Sequence, residues 1–165
     1  MKKMFLILVM TFVVSLVGSA KSFYYYGVGF HHENSWKISA SPNGIIGVNG
    51  ESRIYINTSR LEPTTVKSTS ILNNKLDAKV EEILDQSYGN KQMKLRKKSE
   101  VLDGDINDMP AKYVDITFSG GVCKRYYCLE WKGYLIEVEI SGKGKGFQKA
   151  FKKIFKSFSF VPEVR

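Results

Sequence analysis

Between Met109 and Val161 three runs of alternating apolar and polar residues follow one another, separated by glycine turns and closed by a segment of helical period. That combination demands an antiparallel meander with a helix laid across it. Val114, Ile116 and Phe118 alternate with Tyr113, Asp115 and Thr117 over residues 111–118, and Ser119-Gly120-Gly121 supplies a turn. Over residues 122–131, Tyr127, Leu129 and Trp131 share one face, and Lys124, Tyr126, Cys128 and Glu130 the other. Lys132-Gly133 closes a second tight hairpin, since glycine accepts the positive φ of such turns. In the third run Ile136, Val138 and Ile140 alternate with Leu135, Glu137 and Glu139, which puts the two carboxylates toward solvent. After the glycine-rich loop 142–146, Phe147, Phe151, Ile154, Phe155 and Phe158 recur at helical spacing, predicting a helix over about 146–156 with its aromatic stripe on the sheet. Residues 157–161 read as a returning strand, ended by Pro162, which has no N–H for a ladder.

Upstream, residues 23–30 read as a first strand, 36–39 as a second and 53–57 as a third, with 42–50 rich in turn residues. The one long helix is expected over about 69–88, its stripe made of Leu72, Leu76, Val80, Ile83, Leu84 and Tyr88. Ser68 or Thr69 can cap its first amides, and Gly89 suits the left-handed residue that ends a helix. Residues 92–102 read as a further strand and 103–108 as a turn. The sum is an α+β fold: an antiparallel sheet of about six or seven strands with the helices near 69–88 and 146–156 packed on it as an α/β/α sandwich.

Lys2 and Lys3, the apolar run 4–17 and Gly18-Ser19-Ala20 form the three regions of a secretory signal peptide, with cleavage expected after Ala20. The apolar run falls short of the roughly 20 residues that span a bilayer, so no transmembrane segment is expected after cleavage. Residues 21–165 then form a single domain. Removing Lys2 and Lys3 from 25 lysines and arginines leaves 23 against 16 acidic residues, a balance of +7. A basic exported protein, periplasmic or extracellular, suits an envelope protein or an anionic envelope polymer rather than nucleic acid. Cys123 and Cys128 are placed where an oxidising compartment permits a disulfide. On one continuous strand, five residues apart, they lie on opposite faces and beyond bonding reach. They pair only if residues 124–127 form a hairpin loop instead.

Candidate chemistry is sparse. His31-His32-Glu33 is the one histidine cluster and the sole candidate for nitrogen ligation of a metal, His31 and His32 being its ligands. Neighbouring residues on a strand point apart, so an exposed polar turn is the favoured reading. Neither cysteine has a nearby histidine base, and no Gly-x-Ser-x-Gly elbow occurs. Glu137 and Glu139 share a strand face with Glu130 within reach, but Lys112, Lys124 and Lys132 turn this into an ordinary charged sheet face. Residues 142–146 precede a helix and carry lysines, yet lack the length and ending of a P-loop. No cofactor motif and no catalytic set emerges. Two basic runs, 91–98 and 143–156, remain: Lys94, Arg96, Lys97 and Lys98 in the first and Lys149, Lys152 and Lys153 in the second can dock an anionic partner if the fold brings them together. Tyr24, Tyr25, Tyr26, Tyr126 and Tyr127 can add sugar or peptide contacts beside such a patch.

The order of elements, with Trp36, Gly104, Pro110-Ala111, Gly133-Tyr134 and Ser157-Phe158-Ser159-Phe160 at its joints, resembles the PsbP-type α/β/α sandwich. That superfamily includes photosystem assembly and stabilising proteins and small exported bacterial proteins of the DcrB kind. The resemblance implies a sheet with helices on both faces and a non-catalytic role in binding or assembly. The expected function is therefore an exported, soluble, non-catalytic binding or assembly protein of the cell envelope. The alternatives are an envelope hydrolase using Glu137, Glu139 or His32, and a structural subunit that pairs through an edge strand such as 23–30.

Overall fold

The structure is a computed structural model that describes residues 20–61, 68–88 and 93–162. Residues 1–19 of the expected signal segment, the caps at Ser68, Thr69 and Gly89, the Tyr88 side chain and Lys91 lie outside the described residues and side chains.

The meander forms as its alternation requires. Strands β8 (Met109–Phe118), β9 (Val122–Trp131) and β10 (Tyr134–Lys143) are antiparallel neighbours. The connection 119–121 is a 3-10 turn with Gly120 and Gly121 at positive φ. Lys132 (φ 52) and Gly133 (φ 79) make the two-residue hairpin turn that follows. The main sheet continues outward from β10 through β5 (Ser52–Arg60), β4 (Gly44–Asn49) and β3 (Lys37–Ser41). On the other side of the meander, β6 (Leu95–Lys98) and β7 (Leu102–Ile106) both pair with β8, giving eight strands. A separate three-stranded antiparallel sheet holds β1 (Lys21–Tyr25), β2 (Val28–His32) and the two-residue β11 (Ser159–Phe160).

Each face of the main sheet has its own core. Helix α1 (Ser68–Tyr88) buries Leu72, Leu76, Val80 and Ile83 against Val114, Ile116, Phe118, Tyr126, Cys128 and Leu135. On the opposite face, Ile54, Ile56, Leu129, Ile136, Val138 and Ile140 meet Val28, Phe30, Phe151, Ile154, Phe158 and Phe160. That second layer is built from the small sheet, a 3-10 turn over Phe147–Phe151 and the short helix α2 (Lys152–Ser157). Trp36, 5% exposed, lies against Phe151 at 5.3 Å between ring centres. Gly47 makes room for it: a β-carbon there would sit 2.7 Å from both Ile38 and Ile54 and 3.3 Å from the indole.

The α+β class, the antiparallel sheet and the two packed helices agree with the expectation, and several local assignments change. The supposed first strand is a hairpin, because Tyr26-Gly27 adopts positive φ at both positions and turns the chain. The turn-rich region 42–50 contains β4, whose Ile45, Gly47 and Asn49 alternate too weakly in hydrophobicity to read as a strand. Residues 92–102 do not form one strand: β6 ends at Lys98, and Leu102 joins residues 103–106, expected as part of a turn, in β7, which the pairing of Lys112 with Asp103 (2.7 Å) ties to β8. The C-terminal helix is half as long as expected, its first turn being 3-10.

Candidate functional site

His31 and His32 point to opposite sides of β2. His31 is exposed, with Nδ1 3.0 Å from the Ser22 hydroxyl, and His32 is buried beside Phe30 with Nδ1 2.9 Å from the Glu33 carbonyl oxygen. They cannot ligate one ion together, and among the described residues no three His, Cys, Asp or Glu side chains gather to hold a metal.

Both cysteines are free thiols, so the disulfide between Cys123 and Cys128 does not form. The reason is the unbroken strand β9, which directs Cys123 to the α2 side and Cys128 to the α1 side. Cys128 is fully buried, and desolvation, reinforced by the Glu137 carboxylate, pushes its thiol up to about 12.

The carboxylates of β10 do not simply face solvent. Glu137 and Glu139 project on the α1 side, on a part of the sheet where their neighbours are polar. Glu137 accepts hydrogen bonds from the Tyr126 hydroxyl and, at 3.3 Å, from the Asn57 amide. Glu139 pairs with Lys124 at 2.7 Å, both being about one-fifth exposed. Burial and the adjoining Glu137 hold the Tyr126 hydroxyl far above its ordinary pKa, so it stays a donor. His32 belongs to the layer on the other face of the sheet. The histidine and the carboxylates named for a hydrolase are therefore separated by the sheet itself, as shared chemistry forbids.

A second charged cluster faces α2. Arg125 donates two bonds to Asp115 (2.6 and 2.7 Å) and one to the Tyr127 hydroxyl (3.2 Å), while its guanidinium lies 4.1 Å from the centre of the Tyr113 ring. Burial opposes the charge, and the carboxylate and hydroxyl outweigh that opposition, so the pKa of Arg125 rises. A bidentate, stacked arginine of this kind fixes the register of neighbouring strands. Nothing in the alternation of β9 marked Arg125 as different from Lys124.

The two basic runs do meet, though not through most of the residues expected. Lys97 from the first run and Lys145 from the second line one cleft of about 410 Å³, together with Ser99, Thr117, Cys123, Gln148 and Asp115, whose carboxylate is held by Arg125. The loop backbone at Gly144 and Gly146, both at positive φ, forms one wall, and the Lys149 side chain lies against Gly146. Lys97, exposed like the rest of β6, reaches the cleft because the bulge between Leu95 and Lys97 sets it opposite Thr117. Lys94, Arg96 and Lys98 lie exposed along the β6 edge, and Lys152 and Lys153 ride on α2, none of them lining the cleft. Lys145 was within the second run but had no signal to separate it from its neighbours; only the closure of loop 144–146 onto β8 and β9 selects it.

With these layers and this cleft in place, the fold is a PsbP-like α/β sandwich. The solution structure of cyanobacterial PsbP (CyanoP) from Synechocystis sp. PCC 6803 superposes with a TM-score of 0.56 at 14% identity, covering 88% of this chain and 94% of that one. The Ran-binding protein Mog1p of Saccharomyces cerevisiae gives 0.52 at 9% identity, over 87% and 96%. A Bacteroides thetaiotaomicron structure gives 0.51 at 11% identity, over 87% of this chain and 49% of that one. At these identities the likeness concerns fold alone. No family model matches the sequence, and no curated protein matches it significantly.

Proposed function

We propose that this chain is an exported, non-catalytic binding or assembly protein that docks an anionic partner, an envelope protein or polymer, on the cleft between β6 and the loop 144–146. The observation that carries this reading is the convergence of Lys97 and Lys145, from runs almost fifty residues apart, on one concave surface where neither has an ion-pair partner among the described residues. Two uncompensated ammonium groups in a cleft attract negative charge more strongly than the same groups on a convex surface. The basic balance of the sequence supports the same reading, as does the signal-like segment 1–20. Among the described residues no helix is long and apolar enough to cross a membrane.

Reversing both charges, Lys97→Glu with Lys145→Glu, should abolish capture of the partner from envelope extract, and capture by the unaltered protein should weaken steeply with salt. Capture that is indifferent to both changes would refute docking at this cleft.

A second reading rests on β1, which among the described residues pairs only with β2 and so leaves its outer edge open, with Tyr24 63% exposed on it. Such an edge can accept a partner strand. Hydrogen exchange at 21–25 that slows only in extract supports it, and unchanged exchange counts against it.

A further inference from the structure

The opposite end of the main sheet carries a larger cleft, about 730 Å³, within the size range of small-molecule sites. It is about 30 Å from the lysine cleft, since the two lie at opposite ends of the ten-residue strand β9. Chain ends and turns build it: the β1–β2 turn, the β3–β4 turn, the end of β5, the β9–β10 turn and β11. Its floor is β5, paired on both sides by β4 and β10. The backbone N–H of Leu61 bonds the Gly133 carbonyl at 2.9 Å, which draws Arg60 and Lys132 to the same rim.

Three features describe its occupant. Arg60 and Lys132 are exposed and form no ion pair among the described residues, and no described carboxylate lines the cleft. The walls are aromatic: Tyr25 and Tyr26 stand edge to face at 4.5 Å, and Tyr134 lies 5.2 Å from Phe160. Between the rings lie short polar residues, Ser41 and Thr58. Tyr26 adds an independent observation. It holds φ at 45° in the two-residue turn with Gly27, where asparagine or glycine is the ordinary choice, and it leaves its ring 51% exposed at the cleft mouth. Backbone strain that presents an aromatic ring to an open cavity is the kind met at binding sites.

We infer that this cleft binds an acidic saccharide, one or two sugar rings bearing a carboxylate. The tyrosine rings stack on the apolar faces of the sugar. Arg60 takes the carboxylate as a planar two-pronged donor with Lys132 beside it. Ser41 and Thr58 meet the ring hydroxyls. An extended peptide fits less well, because the floor strand has no free edge for its backbone to join. The inference is independent of the lysine cleft and its partner.

The test is a titration of the ¹⁵N-labelled protein, residues 21–165, with digalacturonate, and with its methyl ester as the uncharged control. Saturable amide shifts confined to 25–28, 41–45, 56–61 and 132–134 are expected, with affinity at least tenfold weaker for the ester. Tyr26→Asn, which suits the turn, and the surface pair Arg60→Ala with Lys132→Ala should each weaken binding at least tenfold while leaving the remaining spectrum intact. Absence of saturable shifts up to about 10 mM, beyond the weak end of specific affinities, would overturn the inference. Equal affinity for the ester would overturn it too, as would shifts centred on Lys97 and Lys145, which would instead mark the lysine cleft as the polyanion site.

Discussion

Cys123 and Cys128 are the same residue type five positions apart on one strand, and the sheet gives them unlike chemistry. Cys123 is half-buried at the lysine cleft, 3.9 Å from the Thr117 hydroxyl, while Cys128 is sealed under α1. A thiol reagent at pH 8 should label Cys123 in the folded protein and reach Cys128 only on unfolding; mass spectrometry of the labelled peptides reads the difference directly. Equal labelling would contradict the placement of β9. The raised pKa values also fix a pH dependence. Cys128 and Tyr126 ionise above about 9 and 10 when unfolded and only at higher pH when folded. The stability their neutral forms contribute is therefore complete below pH 9 and declines as pH rises toward 12. Urea midpoints should fall over that window, less so in Cys128→Ala, whereas an unchanged slope in that variant would deny the thiol its part.

At the scale of elements, α1 is the clearest sequence-to-structure link. Its buried residues Leu72, Leu76, Val80 and Ile83 recur at three- and four-residue intervals, and that period alone located the helix to within a residue of its observed start. Leu76 is fully buried in the middle of the stripe, so Leu76→Ala should cost about 2–5 kcal/mol in urea unfolding, the range for a leucine cavity. A cost below about 1 kcal/mol would mean α1 is not firmly seated. Gly47→Val should destabilise as well, through collision with Ile38, Ile54 and the Trp36 ring, by about 1–3 kcal/mol as overpacking does.

The meander was equally legible, because three alternating runs between glycine turns admit one pairing. What the sequence hid were elements whose partners are distant. Strand β7 has the composition of a turn, Leu102-Asp103-Gly104-Asp105-Ile106, and becomes a strand because β8 offers its outer edge. Gly104 leaves room there for Tyr113, 2.9 Å from where its β-carbon would be. β4 is similar: Gly47 interrupts its pattern for the sake of Trp36, eleven residues away. The hairpin at Tyr26-Gly27 was read through because tyrosine is an uncommon occupant of that turn.

For the whole molecule, the open question is what a sandwich with a cleft at each end of its sheet receives. Neither cleft could be located from the sequence, since each draws on residues from four or more separate segments. The lysine runs were visible as composition; their meeting was not, because it depends on one bulge in β6 and one glycine loop after β10. That meeting is the central claim, and it is testable without knowing the partner. Crosslinking of the tagged protein in its native envelope, followed by mass spectrometry, should return one recurrent partner, or one anionic polymer fraction, attached through Lys97 and Lys145. Attachment spread evenly over Lys152, Lys153 and the remaining exposed lysines, with no enriched partner, would contradict it.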